Sequence, residues 1–67
     1  MVLKLTLLDF FNIDKSQIVY VNYDNVNYFH PTEYDNNTVI YFKDGNRLAV
    51  KESSENINKT LLAYNKI

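Results

Sequence analysis

Few of the 67 residues carry side chains able to do covalent or acid–base chemistry at neutral pH. There is no cysteine, so disulfides, thiolate metal sites and cysteine nucleophiles are excluded. His30 is the only histidine and the only side chain that titrates naturally near neutrality. It stands between Phe29 and Pro31, with no serine, threonine or carboxylate at a diagnostic spacing. We expect a loop histidine that contacts solvent or a neighbouring carbonyl, not a general base. Glu33 and Asp35 beside Asn36 and Asn37 supply the oxygen ligands calcium prefers, but the run lacks the glycine and the closing glutamate of a calcium loop. It reads as a solvated turn. Gly45 is the single glycine, and a phosphate-cradling loop needs several. These exclusions predict a chain that is not an enzyme and uses no cofactor and no metal.

What remains is recognition chemistry. Tyr23, Tyr28, Phe29 and Tyr34 gather around a segment rich in Asp and Asn. Rigid amphipathic rings in such company supply contact area at low entropic cost, as on protein-recognition surfaces. Lys43, Arg47 and Lys51 fall close together and offer an alternative, a nucleic-acid contact through a hairpin. Against it, seven Lys or Arg oppose eight Asp or Glu, a formal net charge of −1, and the other cations are dispersed. Phosphate contacts supply most nucleic-acid affinity and normally require a basic surplus.

No run of about 18 apolar residues exists to span a bilayer. Residues 1–8 have neither a charged lead nor a cleavage site, so they do not read as a signal peptide. The expected location is the cytoplasm, without membrane insertion. The abundance of Asn, Ile, Lys and Tyr matches the codon bias of an AT-rich genome, such as a low-GC bacterium, its phages or an archaeal virus.

The elements that must position these residues are strands broken by short polar turns, then one helix. Leu3, Leu5 and Leu7 alternate along a first strand, residues 2–8. A second strand, 17–23, is rich in β-branched and aromatic residues on both faces. A short third strand, 26–29, is stopped or confined to a sheet edge by Pro31. The clearest local signal is a hairpin of residues 38–43 and 47–52 around Asp44-Gly45, which suits a two-residue type I′ turn. That turn predicts Phe42 opposite Arg47, Tyr41 opposite Leu48, Ile40 opposite Ala49 and Val39 opposite Val50. One face then carries Val39, Tyr41, Leu48 and Val50, and the other Ile40, Phe42 and Ala49. Ser53 or Ser54 can cap a helix over 54–65, with Ile57, Thr60, Leu61, Tyr64 and Ile67 on one stripe. The predicted fold is α+β: an antiparallel sheet or partly open barrel of four or five strands in one domain, with a C-terminal helix.

One helix covers one face of a sheet, yet this sheet has two apolar faces. The surplus, Ile40, Phe42 and Leu62 with a rim of Tyr23, Tyr28, Phe29 and Tyr34, is expected to pack on a second copy or another protein. Closure into a barrel, with room for a small ligand, is the further alternative. A chain this short buries a small share of its surface and usually needs a staple. With disulfides excluded, self-association and binding to another protein are the staples that remain.

The stretch Thr38-Val39-Ile40, Gly45 and Val50-Lys51-Glu52-Ser53, followed by a short helix, resembles the small FlbD/SwrD-like flagellar family. There an N-terminal strand and an Ile-rich second strand precede a hairpin of the same pattern that leads into a helix. The resemblance covers the C-terminal third and, loosely, the first strand. Residues 22–37 stand as an insertion, and Leu8-Asp9-Phe10 replaces the Leu-Asn-Gly turn of that family. The hairpin and helix, led by Ile18-Val19-Tyr20-Val21, also look like the first half of LytTR DNA-binding domains, without that family's basic second half. The first resemblance implies a protein without catalytic residues.

Overall fold

The computed structural model describes residues 1–8, 17–33 and 36–65. Strand β1 (Val2–Leu7) pairs antiparallel along its whole length with β2 (Gln17–Asn22), Leu3 opposite Val21 and Leu5 opposite Val19. A 3-10 turn, Tyr23–Asn25, leads into β3 (Val26–Pro31), which pairs with β4 (Thr38–Phe42). Strand β5 (Arg47–Val50) returns along β4, and α1 (Ser54–Asn65) follows. The five-stranded antiparallel sheet has the order β2-β1-β5-β4-β3. The architecture is therefore α+β, with the sheet left open. β3 runs on to Pro31, past the expected stop at Phe29, because it is an edge strand and proline is tolerated there.

The sheet is curled, and the connectivity requires it. β2 and β3 are its opposite edges, yet only residues 23–25 join them. A flat five-stranded sheet separates its edge strands by about 19 Å. The four Cα–Cα steps from Asn22 to Val26 span at most about 15 Å. The turn is held at both ends: Tyr23 N–H donates to the Met1 carbonyl (3.0 Å), and Lys43 N–H to the Asn25 carbonyl (2.8 Å).

The hairpin corrects the expected register by one residue. Tyr41 faces Arg47, Ile40 faces Leu48, Val39 faces Ala49 and Thr38 faces Val50. The loop is Lys43-Asp44-Gly45, closed by Gly45 N–H donating to the Phe42 carbonyl (3.1 Å) and Phe42 N–H to that of Asn46 (2.8 Å). Within this loop only Gly45 takes positive φ (+93°), whereas a type I′ turn needs it at two residues. Asp44 keeps to negative φ, and its carboxylate accepts from the Asn46 backbone (2.9 Å) and side-chain amide (3.0 Å). The shift sorts the faces better than the expected register did. Thr38, Ile40, Phe42, Leu48 and Val50 share one face; Val39, Tyr41, Arg47 and Ala49 share the other.

The concave face holds the core: Leu3, Leu5, Val21, Ile40 and Val50 are buried with Ile57 and Leu61 of α1. Of the expected helix stripe, Thr60 and Tyr64 are exposed, and Ile67 lies outside the described residues. Ser53 caps the helix, its Oγ accepting from Asn56 N–H (3.1 Å).

β1 meets β5 through a single residue pair, Leu7 and Val50, before the chain bends away. Two polar side chains reinforce this join. The Glu52 carboxylate accepts from Thr6 N–H (2.8 and 3.0 Å) and Thr6 Oγ1 (2.9 Å). The Thr6 carbonyl still accepts from Lys51 N–H (2.9 Å), and Glu52 supplies the acceptor that Thr6 N–H lacks once β5 has ended. Thr38, fully buried, donates its hydroxyl to the Glu52 carbonyl (2.8 Å) and lies 2.9 Å from Ser54 Oγ. Its polar atom is satisfied inside the core, as burial demands.

Candidate functional site

The chemistry-bearing side chains collect on the solvent side of the sheet. Cross-strand pairing puts Tyr28 opposite Tyr41, and His30 one step along on the same face. The three rings stack: Tyr28 on Tyr41 with centroids 4.6 Å apart, Tyr41 on His30 at 5.4 Å, with interplanar angles of 18° and 29°. His30 Nδ1 lies 2.9 Å from the Pro31 carbonyl oxygen, so Nδ1 carries the proton and donates. Nε2 lies 3.4 Å from the Tyr41 hydroxyl. The expected carbonyl contact of His30 is present, but the residue sits on β3 and not in a loop. Arg47, directly opposite Tyr41 on β5, stands next to this stack with its side chain exposed.

A second part of the same face lies over β1 and β2. Val2 (62% exposed), Ile18 (52%) and Tyr20 (69%) are the large apolar side chains there, with Lys4 opposite Tyr20 and Thr6 opposite Ile18. No acidic residue occupies a strand position among the described residues; the described carboxylates are in turns, after β5 or on α1.

The expected interface residues divide. Ile40 is 1% exposed and belongs to the core, which corrects its place in an interface. The register shift turned it inward. Phe42, Tyr23 and Phe29 are half-buried and pack against the same core. Tyr28 and Leu62 are exposed, and Tyr34 lies outside the described residues. Lys43, Arg47 and Lys51 do not converge: Lys43 is in the turn, Arg47 opens β5, and Lys51 follows its far end. Asp35 lies outside the described residues, and among these no three His or carboxylate groups lie close enough to hold a metal. Sequence reasoning missed Tyr41, Thr38 and Glu52. The signal for Tyr41 was its period-2 relation to Arg47 across a three-residue loop.

Beside β2 is a solvent-open cleft of about 560 Å³, floored by Val19, Val21, Phe42 and Leu48 and rimmed by Asn22, Asn25 and Asp44. The closed barrel that a small-ligand reading requires is not formed. Among the described residues, no helix is long and apolar enough to cross a membrane. Neither a family model, a curated protein nor a solved structure matches the chain. The resemblance to flagellar and LytTR hairpins therefore stands on the hairpin residues alone.

Proposed function

We propose that this protein is a non-enzymatic interaction module that associates with itself, a small adaptor, regulator or inhibitor of bacterial or phage type. One observation carries the reading: Val2, Ile18 and Tyr20 stay more than half exposed on one patch of the sheet while the core is already filled from the other side. Contiguous apolar surface on a small soluble chain marks an interface, and a domain of this size gains most from a second subunit. Sedimentation or light scattering from about 10 µM to about 1 mM, a range suited to the modest affinity of small interfaces, is expected to show a mass that rises above that of one chain. A monomer throughout rejects the reading.

A second reading has its own support, the Tyr28–Tyr41–His30 stack beside Arg47. Aromatic platforms with a neighbouring cation bind single-stranded bases without sequence preference. Titration with a short single-stranded oligonucleotide at low salt is expected to quench tyrosine fluorescence, with affinity that falls steeply as salt is raised. No quenching at low salt removes this reading and leaves the first untouched.

A further inference from the structure

The two edges of the sheet are built differently. β3 carries a register irregularity between Val26 and Tyr28 and ends on Pro31, which has no N–H to offer. Bulges and proline are the devices that keep an edge from pairing with another chain. β2 has neither: its six residues, Gln-Ile-Val-Tyr-Val-Asn, are uncharged, free of proline and in unbroken register with β1.

The groups β2 has to offer follow from the ladder. Tyr23 N–H donates to Met1, so alternation turns the backbone of Val21, Val19 and Gln17 toward β1. The N–H and C=O groups of Ile18, Tyr20 and Asn22 point the other way, where no strand pairs with them among the described residues. Asn22 is engaged in the turn, its Oδ1 accepting from Asp24 N–H (3.1 Å). Ile18 and Tyr20 are clear of that turn.

We infer that β2 pairs antiparallel with β2 of a second copy, about a two-fold axis at Val19. This deepens the self-association reading and rests on it. In this register Ile18 faces the second copy's Tyr20, and each such pair exchanges both N–H···O bonds. The pairing sets a β-branched side chain against an aromatic one on the solvent face, a favourable cross-strand combination. On the concave face Val19 meets its own copy at the open side of the cleft. The strand is its own complement: both faces are apolar, and no charge repels its image. A two-fold axis normal to the sheet keeps its faces aligned. The two Tyr28–Tyr41–His30 stacks then lie on the same side of one continuous sheet, so the assembly presents that surface twice.

Amide hydrogen exchange on the wild-type chain tests the inference without any variant. Raising the concentration from about 10 µM to about 1 mM is expected to slow exchange at Ile18 and Tyr20 roughly tenfold or more, because their amides are free in the monomer and bonded in the pair. Val19 and Val21, bonded to β1 throughout, serve as the internal reference. Tyr20→Lys is expected to return the particle to the mass of one chain, whereas Tyr28→Lys on the defended edge leaves it associated. Association with Ile18 and Tyr20 still exchanging freely, or with Tyr20→Lys at the wild-type mass, overturns the edge pairing and leaves self-association standing. A monomer at every concentration overturns both.

Discussion

The two faces of this sheet are made from the same strands, two residues at a time, and meet opposite fates. On the concave side Leu3, Leu5, Val21, Ile40 and Val50 are sealed by Ile57 and Leu61. On the convex side Val2, Ile18, Tyr20 and Tyr28 have similar apolar content and stay more than half exposed. The helix supplies one apolar stripe, so it chooses one face, and curvature closes that face around it. The residues left outside are not random leftovers. They are aromatic or β-branched and accompanied by Lys4 and Arg47. The difference teaches that burial and exposure are divided by strand parity: a one-residue slip exchanges them.

The sharpest way to break this division is to truncate one residue from each side. Ile40→Ala is expected to cost about 2–5 kcal/mol, the range for deleting a buried branched side chain. A chain of this length has roughly 3–10 kcal/mol of stability in total, so the variant sits near its limit, and Ile40→Val, at about 0.5–1.5 kcal/mol, gives a graded second point. Tyr20→Ala, at a concentration where the particle is one chain, is expected to stay within about 0.5 kcal/mol of wild type. Urea unfolding reads both. Equal losses on the two faces break the comparison.

That division was only half legible in the sequence. Leucine alternation in residues 3–7 and the paired apolar faces of Ile18 to Val21 give β1 and β2 directly, and Ser53 with Ile57 and Leu61 gives the capped helix. The hairpin was legible too, but not its register. Asp-Gly serves both a two-residue loop and a three-residue loop with glycine last. The choice between them depends on whether Asp44 takes positive φ, and the tertiary demand to bury Ile40 with Leu48 and Val50 decides it. The shift leaves Ile40 and Phe42 together and brings Leu48 and Val50 to their face, so that face, and not the one carrying Tyr41, packs on the helix. The curl of the sheet has a different origin. It follows from β2 and β3 being opposite edges joined by three residues, a fact of topology that no local pattern carries.

The join between β1 and β5 offers a test of intermediate size. Here the sheet is continuous through one residue pair, and a side chain, Glu52, stands in for the missing strand on Thr6. Glu52→Ala leaves a half-buried N–H without its acceptor, which is expected to cost about 1–3 kcal/mol. Glu52→Gln keeps an oxygen in place and is expected to recover part of that loss. If both variants match wild type in urea, the single backbone pair holds the two halves of the sheet unaided. The concave face would then owe its closure to apolar packing alone.

The smallest effect is expected where the helix repeats the contrast between adjacent residues. Leu61 is buried against the sheet; Leu62, one step of about 100° around the helix, is 52% exposed. Leu62→Ser is expected to change stability by about 0.5 kcal/mol or less, against about 2–5 kcal/mol for Leu61→Ala. It is also expected to leave the particle mass unchanged, because edge pairing through β2 makes no use of α1. A fall in mass for Leu62→Ser at unchanged stability would carry the interface from the sheet edge to the helix.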